Sequence, residues 1–172
     1  MGKEIERKYL VCSNQFIQEA ADSCGSASCP DKAGTFYRQG YIPTLNGMTV
    51  RIRIAGEKAF TTFKDHAVGF SRHEFEYEIP VEDAQQMLEL MCEKPQIEKR
   101  RYVIPTTSVD GQPLHWEVDV FEGDNQGLIV AEIEVPSEDT EYPLPSWIGD
   151  EVTGQKKYYN SHLIQNPYKK WK

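Results

Sequence analysis

Four short segments of this chain carry carboxylates two residues apart. They are Glu4/Glu6, Glu74/Glu76/Glu78, Glu117/Asp119 and Glu132/Glu134. Two more carry paired cations, Arg51/Arg53 and Lys99/Arg101, and single cations fall in the same pattern at Lys8, Lys64 and Arg72. Placing like charges side by side costs Coulomb energy unless something neutralises them. Carboxylates gathered from separate segments suit a hard divalent cation, which takes oxygen ligands. Clustered Arg and Lys suit phosphate oxygens, Arg as a two-pronged fork and Lys as a point charge. Together the two sets describe a site for a metal-bound polyphosphate.

The elements that must position these groups are strands. Charged and apolar residues alternate with period two in 4–9, 50–54, 60–64, 72–79, 99–103, 116–120 and 131–135. Strand side chains point alternately to opposite faces, so each run has a charged face and an apolar face. Turn signals separate them: Asn46-Gly47, Asp110-Gly111 with Pro113, and 123–127. Such short connections favour antiparallel neighbours. The pattern predicts a mainly β (α+β) fold in which the charged faces line a barrel interior and the apolar faces point outward beneath helices. Helical spacing appears at 15–23, where Asn14 is a candidate cap, at 82–93, where Ala84, Met87, Leu88 and Met91 recur, and at about 156–165. Pro95 is expected to stop the second, and 136–147, with three prolines, reads as a connecting loop.

The chain has 172 residues, 19 of them Lys or Arg and 27 Asp or Glu, for a net charge of −8. That size predicts a single domain over 1–172. The acidic balance argues against a nucleic-acid or membrane-surface partner, both of which call for a basic surface. The sixteen same-face charges divide into nine acidic and seven basic, so most of the excess lies elsewhere. No run of 18 apolar residues and no apolar leader is seen, and the cytoplasm is the expected address. Cys12, Cys24, Cys29 and Cys92 are expected as free thiols, with a Cys24–Cys29 disulfide as the alternative. The four histidines, His66, His73, His115 and His162, lack zinc spacing, and there is no glycine-rich phosphate loop.

At this point the residues resemble a family. Glu4-Ile5-Glu6-Arg7-Lys8 matches the ExExK opening of the CYTH proteins, also called triphosphate tunnel metalloenzymes. The resemblance continues in family order through 39–41, 50–53, 63–64, 72–76, 99–102, 117–121, 131–134 and 151–160. It implies an eight-stranded antiparallel barrel closed into a tunnel, with Tyr37–Ile42 as the eighth strand. It further implies hydrolysis of a triphosphate-containing small molecule with Mg²⁺ or Mn²⁺, as two ions, and the short bacterial inorganic triphosphatases are the nearest likeness.

Carried over residue by residue, the resemblance implies metal ligation by Glu4, Glu6, Glu132 and Glu134, with Asp119 a further ligand. Lys8, Arg51, Arg53, Lys64, Lys99 and Arg101 would cradle the triphosphate. Arg72 and Glu117 would support them, and Glu76 and Glu78 would orient the cations or bind metal through water, unless they are structural ion pairs. Glu4 or Asp119 could polarise the attacking water. Lys156 or Lys157 could protonate the leaving group, unless they are surface lysines. Alternatives on the same fold are a class IV adenylyl cyclase, a thiamine triphosphatase, and a polyphosphate- or nucleotide-binding module without turnover. Oligomeric state is not legible.

Overall fold

Alternation becomes pairing in the computed structural model, which describes residues 5–23, 34–45, 47–65 and 73–171. Glu4, Cys24, Cys29, Asn46, His66 and Arg72 lie outside the described residues. The strands are β1 (Ile5–Val11), β2 (Thr35–Ile42), β3 (Thr49–Ala55), β4 (Lys58–Lys64), β5 (Glu74–Ile79), β6 (Ile97–Thr107), β7 (Pro113–Phe121), β8 (Ile129–Val135) and β9 (Ile148–Glu151). The helices are α1 (Gln15–Ser23), α2 (Val81–Leu90) and α3 (Asn160–Gln165). The chain divides into two compact units, with a boundary inside β6 between Lys99 and Arg100.

In the first unit, 1–35, 100–121 and 127–158, hydrogen-bonded neighbours run β6-β7-β8-β1-β9. β1 faces β8 with Glu6 opposite Glu134 and Lys8 opposite Glu132. β7 faces β8 with Glu117 opposite Glu132 and Val118 opposite Ala131. This register collects the charges on one face. The other face presents Tyr9, Tyr102, Ile104, Trp116, Val118, Ala131, Ile133 and Val135 to Phe16 and Ala20 of α1 and to Trp147. Phe16 and Ala20 are four apart and share a helix face. The aromatic rings meet edge to face: Phe16–Tyr102 at 5.4 Å and Trp116–Trp147 at 5.7 Å between centroids. Each large side chain buried this way contributes about 1.5–3 kcal/mol, and each edge-to-face pair about 0.5–1.5 kcal/mol more. Trp147 Nε1 also donates to Glu19 of α1 at 2.8 Å.

In the second unit, 36–99, 122–126 and 159–172, neighbours run β5-β4-β3-β2. Ala84 and Leu88 of α2 are fully buried with Cys92 against Ile52 and Ala59. The helix starts after Pro80, with Glu82 and Asp83 in its first turn, where the helix dipole favours negative charge. It ends at Leu90, short of the expected 93, because the N–H groups of Met91 and Cys92 both donate to the Met87 carbonyl and close the ladder. Pro95 is not its stop.

Two further expectations are corrected. Among the described residues the strands number nine, and their order ends at β5 and β9 rather than returning on itself, where a closed barrel of eight is implied. The additional strand, β9, has only four residues, too few to show alternation, and pairs with β1 through Tyr9–Glu151 and Val11–Ile148. The C-terminal helix over 156–165 is interrupted. A 3₁₀ turn covers Lys156–Tyr158, Tyr159 is extended (φ −76°, ψ 139°), and α3 begins at Asn160. The Tyr159 carbonyl accepts from the N–H groups of both His162 and Leu163, so Tyr159 starts a new helix instead of continuing the old turn.

Candidate active site

On the charged face of the first unit two cations hold the carboxylates apart. Lys8 Nζ lies 2.7 Å from Glu132 Oε1 and 3.5 Å from Glu6 Oε1. Its burial works against the ammonium charge, but Glu132 and Glu6 outweigh this and hold its pKa above the ordinary lysine value. Arg101 forks onto Asp119, Nε to Oδ1 and Nη2 to Oδ2 at 2.7 Å each, and reaches Glu117 through Nη1. Its Nη2 is also 3.6 Å from Glu132 Oε2. Burial opposes its charge too, and Asp119, Glu117 and Glu132 restore it, so the guanidinium is held charged. Glu6 is pushed above the ordinary carboxylate range, first by burial and then by the negative charge of Glu132, against the pull of Lys8 and Arg101. Its side chain keeps 53% exposure, so it is crowded by carboxylate and protein atoms while still touching solvent.

The lysine's main chain is held as tightly as its side chain. β9 ends at Glu151, the residue paired with Tyr9, and Thr153 takes over: its Oγ1 accepts from the Lys8 N–H at 3.0 Å and donates to Glu151 at 2.7 Å. The Val152 N–H donates to the Lys8 carbonyl at 2.8 Å.

The second unit carries a cationic face. Register places Gln39 opposite Arg53 and Tyr41 opposite Arg51. It then places Arg51 opposite Thr62 and Arg53 opposite Phe60, and Thr62 opposite Glu76 and Lys64 opposite Glu74. The Nη2 atoms of Arg51 and Arg53 each lie 3.1 Å from Glu76. The Thr62 hydroxyl donates to Glu76 Oε2 at 2.8 Å. Burial raises the Glu76 pKa, but the Thr62 hydrogen bond and the two guanidiniums outweigh it and hold the carboxyl below its usual range. Lys64 Nζ pairs with Glu74 at 2.7 Å. Arg53 Cζ lies over the rings of Tyr37 and Phe60 at 5.8 and 5.5 Å, and the buried Lys99 ammonium over Tyr37 at 5.9 Å. Glu78 pairs with exposed Lys58 at 3.3 Å, a surface pair of small worth.

Of the expected site residues, Glu6, Lys8, Arg101, Glu117, Asp119 and Glu132 come together in the first unit, with Glu134 registered opposite Glu6. Arg51, Arg53, Lys64 and Glu76 come together in the second. Lys156 stands exposed in its 3₁₀ turn, and Lys157 lies over the Tyr158 ring at 4.8 Å. Thr62, Tyr37 and Thr153 were not singled out from sequence. Thr62 carried a signal: it stands two before Lys64, on the charged face of its run.

Among the described residues no three His, Cys, Asp or Glu side chains converge into a metal cage. What they supply is a pair of carboxylates, Glu6 and Glu132, close enough to raise one of them. These are hard oxygen donors on neighbouring strands with negative charge to relieve, a donor chemistry that fits a hard divalent cation.

The CYTH domain family matches residues 2–163. An inorganic triphosphatase of Acetivibrio thermocellus is 44% identical over 172 residues, covering 100% of this chain and 99% of that protein. One from Nitrosomonas europaea is 36% identical over 169 residues, covering 93% and 95%. The crystal structure of an inorganic triphosphatase superposes with a TM-score of 0.64 at 30% identity, covering 95% of each chain. The opening carboxylate–lysine strand, the paired arginines and the Glu132/Glu134 strand thus sit in a likeness that runs nearly end to end, and the chain belongs to the CYTH domain family.

Proposed function

We propose that this protein is an inorganic triphosphatase, hydrolysing tripolyphosphate to pyrophosphate and phosphate with Mg²⁺ or Mn²⁺. The observation that carries this is the arginine pair of β3. Arg51 Nε is buried without a hydrogen-bond partner among the described residues, while its Nη2 is committed to Glu76 and Thr62. A buried guanidinium N–H left open costs roughly 1–3 kcal/mol, and a phosphate oxygen is the acceptor that suits it. The likeness to proteins named inorganic triphosphatase supports the choice among triphosphates.

Glu6, Glu132 and Glu134 would hold the divalent cation, with Glu4 as a further ligand. Asp119 would join them through lone pairs beside those that accept from Arg101. When bound, the cation neutralises phosphate charge. Arg51, Arg53, Lys64 and Lys99 bind and orient the phosphate chain, and Lys8 and Arg101 offset negative charge as the anhydride breaks. Lys156 or Lys157 would give the leaving phosphate its proton. We take 1–172 as one domain, because the family match runs through both units, and the cytoplasm as its address; no helix among the described residues is long and apolar enough to cross a membrane.

A phosphate-release panel tests the reading. Tripolyphosphate, thiamine triphosphate and ATP are each supplied with Mg²⁺ or Mn²⁺, and kcat/KM is expected to be highest for tripolyphosphate. A higher value for thiamine triphosphate, or cyclic AMP formed from ATP, overturns it.

A further inference from the structure

Thr62 is completely buried, yet it lies on the charged face of β4 and not in the apolar core beneath α2. A hydroxyl has one proton to give and two lone pairs to offer. Here the neighbours decide how they are used. Glu76, held ionised by its cations, can only accept, and the Arg51 guanidinium can only donate. The single proton therefore goes to Glu76 Oε2 at 2.8 Å, and a lone pair receives Arg51 Nη2 at 3.1 Å. Arg51 Nη2 also reaches that same Oε2, at 3.1 Å. Thr62, Glu76 and Arg51 thus form a closed ring of three hydrogen bonds, and Arg53 joins it through both oxygens of Glu76, at 3.1 Å each.

The geometry points to Thr62 as a positioning residue: its buried hydroxyl sets the Glu76 carboxylate, and through it the guanidiniums of Arg51 and Arg53, in the orientation that receives the phosphate oxygens of inorganic triphosphate. The inference rests on the proposed function, from which it takes its substrate. Two long, flexible side chains, each with rotamer freedom to lose, are held by one carboxylate, and that carboxylate is anchored by a β-branched side chain with few rotamers. Valine keeps the shape of threonine and its branching but removes the hydroxyl, leaving Glu76 one hydrogen bond short and Arg51 Nη2 without one of its acceptors. Serine keeps the hydroxyl.

The test is a pair of variants, Thr62→Val and Thr62→Ser, assayed for tripolyphosphate hydrolysis and, by calorimetry, for tripolyphosphate binding without added metal. Thr62→Val is expected to raise KM and Kd about tenfold, the scale of one hydrogen bond to a charged group, with kcat within about twofold. Thr62→Ser is expected to restore both to within about threefold. A Thr62→Val protein with wild-type KM and Kd overturns the proposal. So does a Thr62→Ser protein as impaired as Thr62→Val, which would make the residue a packing element. Wild-type protein that binds tripolyphosphate without hydrolysing it overturns the functional reading alone, and the Kd comparison then decides the role of Thr62. Wild-type protein that neither binds nor hydrolyses it overturns both.

Discussion

Arg101 and Asp119 form a two-bond fork on the charged face of the first unit, with both contacts at 2.7 Å and the aspartate 1% exposed. Sequence placed Asp119 among the metal ligands and Arg101 in the phosphate cradle, as if they served different partners. In the structure each is the other's principal partner.

Asp119→Asn is therefore expected to destabilise the protein even when no metal is added. Removing one side of a buried ion pair costs about 3 kcal/mol or more, which at this chain length lowers Tm by roughly 6–12 °C. Thermal unfolding in EDTA measures it. An unchanged Tm there would mean that Asp119 matters only through a bound cation.

Glu6→Gln separates binding from stability in the opposite sense. The Glu6 carboxyl is held above its ordinary range, so the folded state takes up its proton more readily than the unfolded chain. Its contribution to stability is greatest at low pH and falls as pH rises from the unfolded value through the folded one. At neutral pH the neutral amide should leave Tm in EDTA no lower than wild type, while metal-dependent hydrolysis is lost. The Tm gain that wild-type protein shows on adding Mg²⁺ should shrink or vanish. Retained hydrolysis would remove Glu6 from the metal site.

Arg53→Ala should raise KM for tripolyphosphate at least tenfold, and Arg53→Lys should recover little of it. Lysine offers a point charge but not the flat group that lies over Tyr37 and Phe60. Steady-state kinetics of the two variants check this; a wild-type KM in Arg53→Ala would place the side chain outside the cradle, and one in Arg53→Lys would show that charge alone suffices there.

Glu76 should help set the acid limit of stability. Its pKa is lowered on folding, so the stability it contributes is present above the ordinary carboxylate value and lost as pH falls through the folded one. Comparing Tm from pH 7 down to pH 3, Glu76→Gln should start lower than wild type and decline less steeply below about pH 4.5. Parallel curves would show that the guanidiniums do not distinguish the two protonation states of this carboxyl.

Much of the fold was legible because alternation is a local property. Each of the seven alternating runs contains a strand, and Tyr37–Ile42 lies within β2. The helix expected from Gln15 to about Ser23 is α1. What was not legible depended on distant partners. Trp147 closes a segment whose prolines read as loop, yet it is wholly buried against Phe16 and Trp116. β9, directly after it, is a strand because β1 offers it an edge. Tyr159 sits inside a helical run and breaks it, because its extended backbone ends the turn before it and its carbonyl accepts the first N–H groups of α3.

The same division runs through the candidate site. From the sequence alone it follows that Glu6, Lys8, Arg51, Arg53, Glu76, Arg101, Asp119 and Glu132 stand on the charged faces of their strands, because the pleat sends every second side chain the same way whatever the partner. Only the tertiary structure decides that Arg101 takes Asp119, that Lys8 takes Glu132, and that Glu76 with Thr62 gathers two arginines. Those choices depend on strand register. A shift of one residue would turn a whole face over, and register is held by what packs behind it: α1 and Trp147 in one unit, α2 in the other.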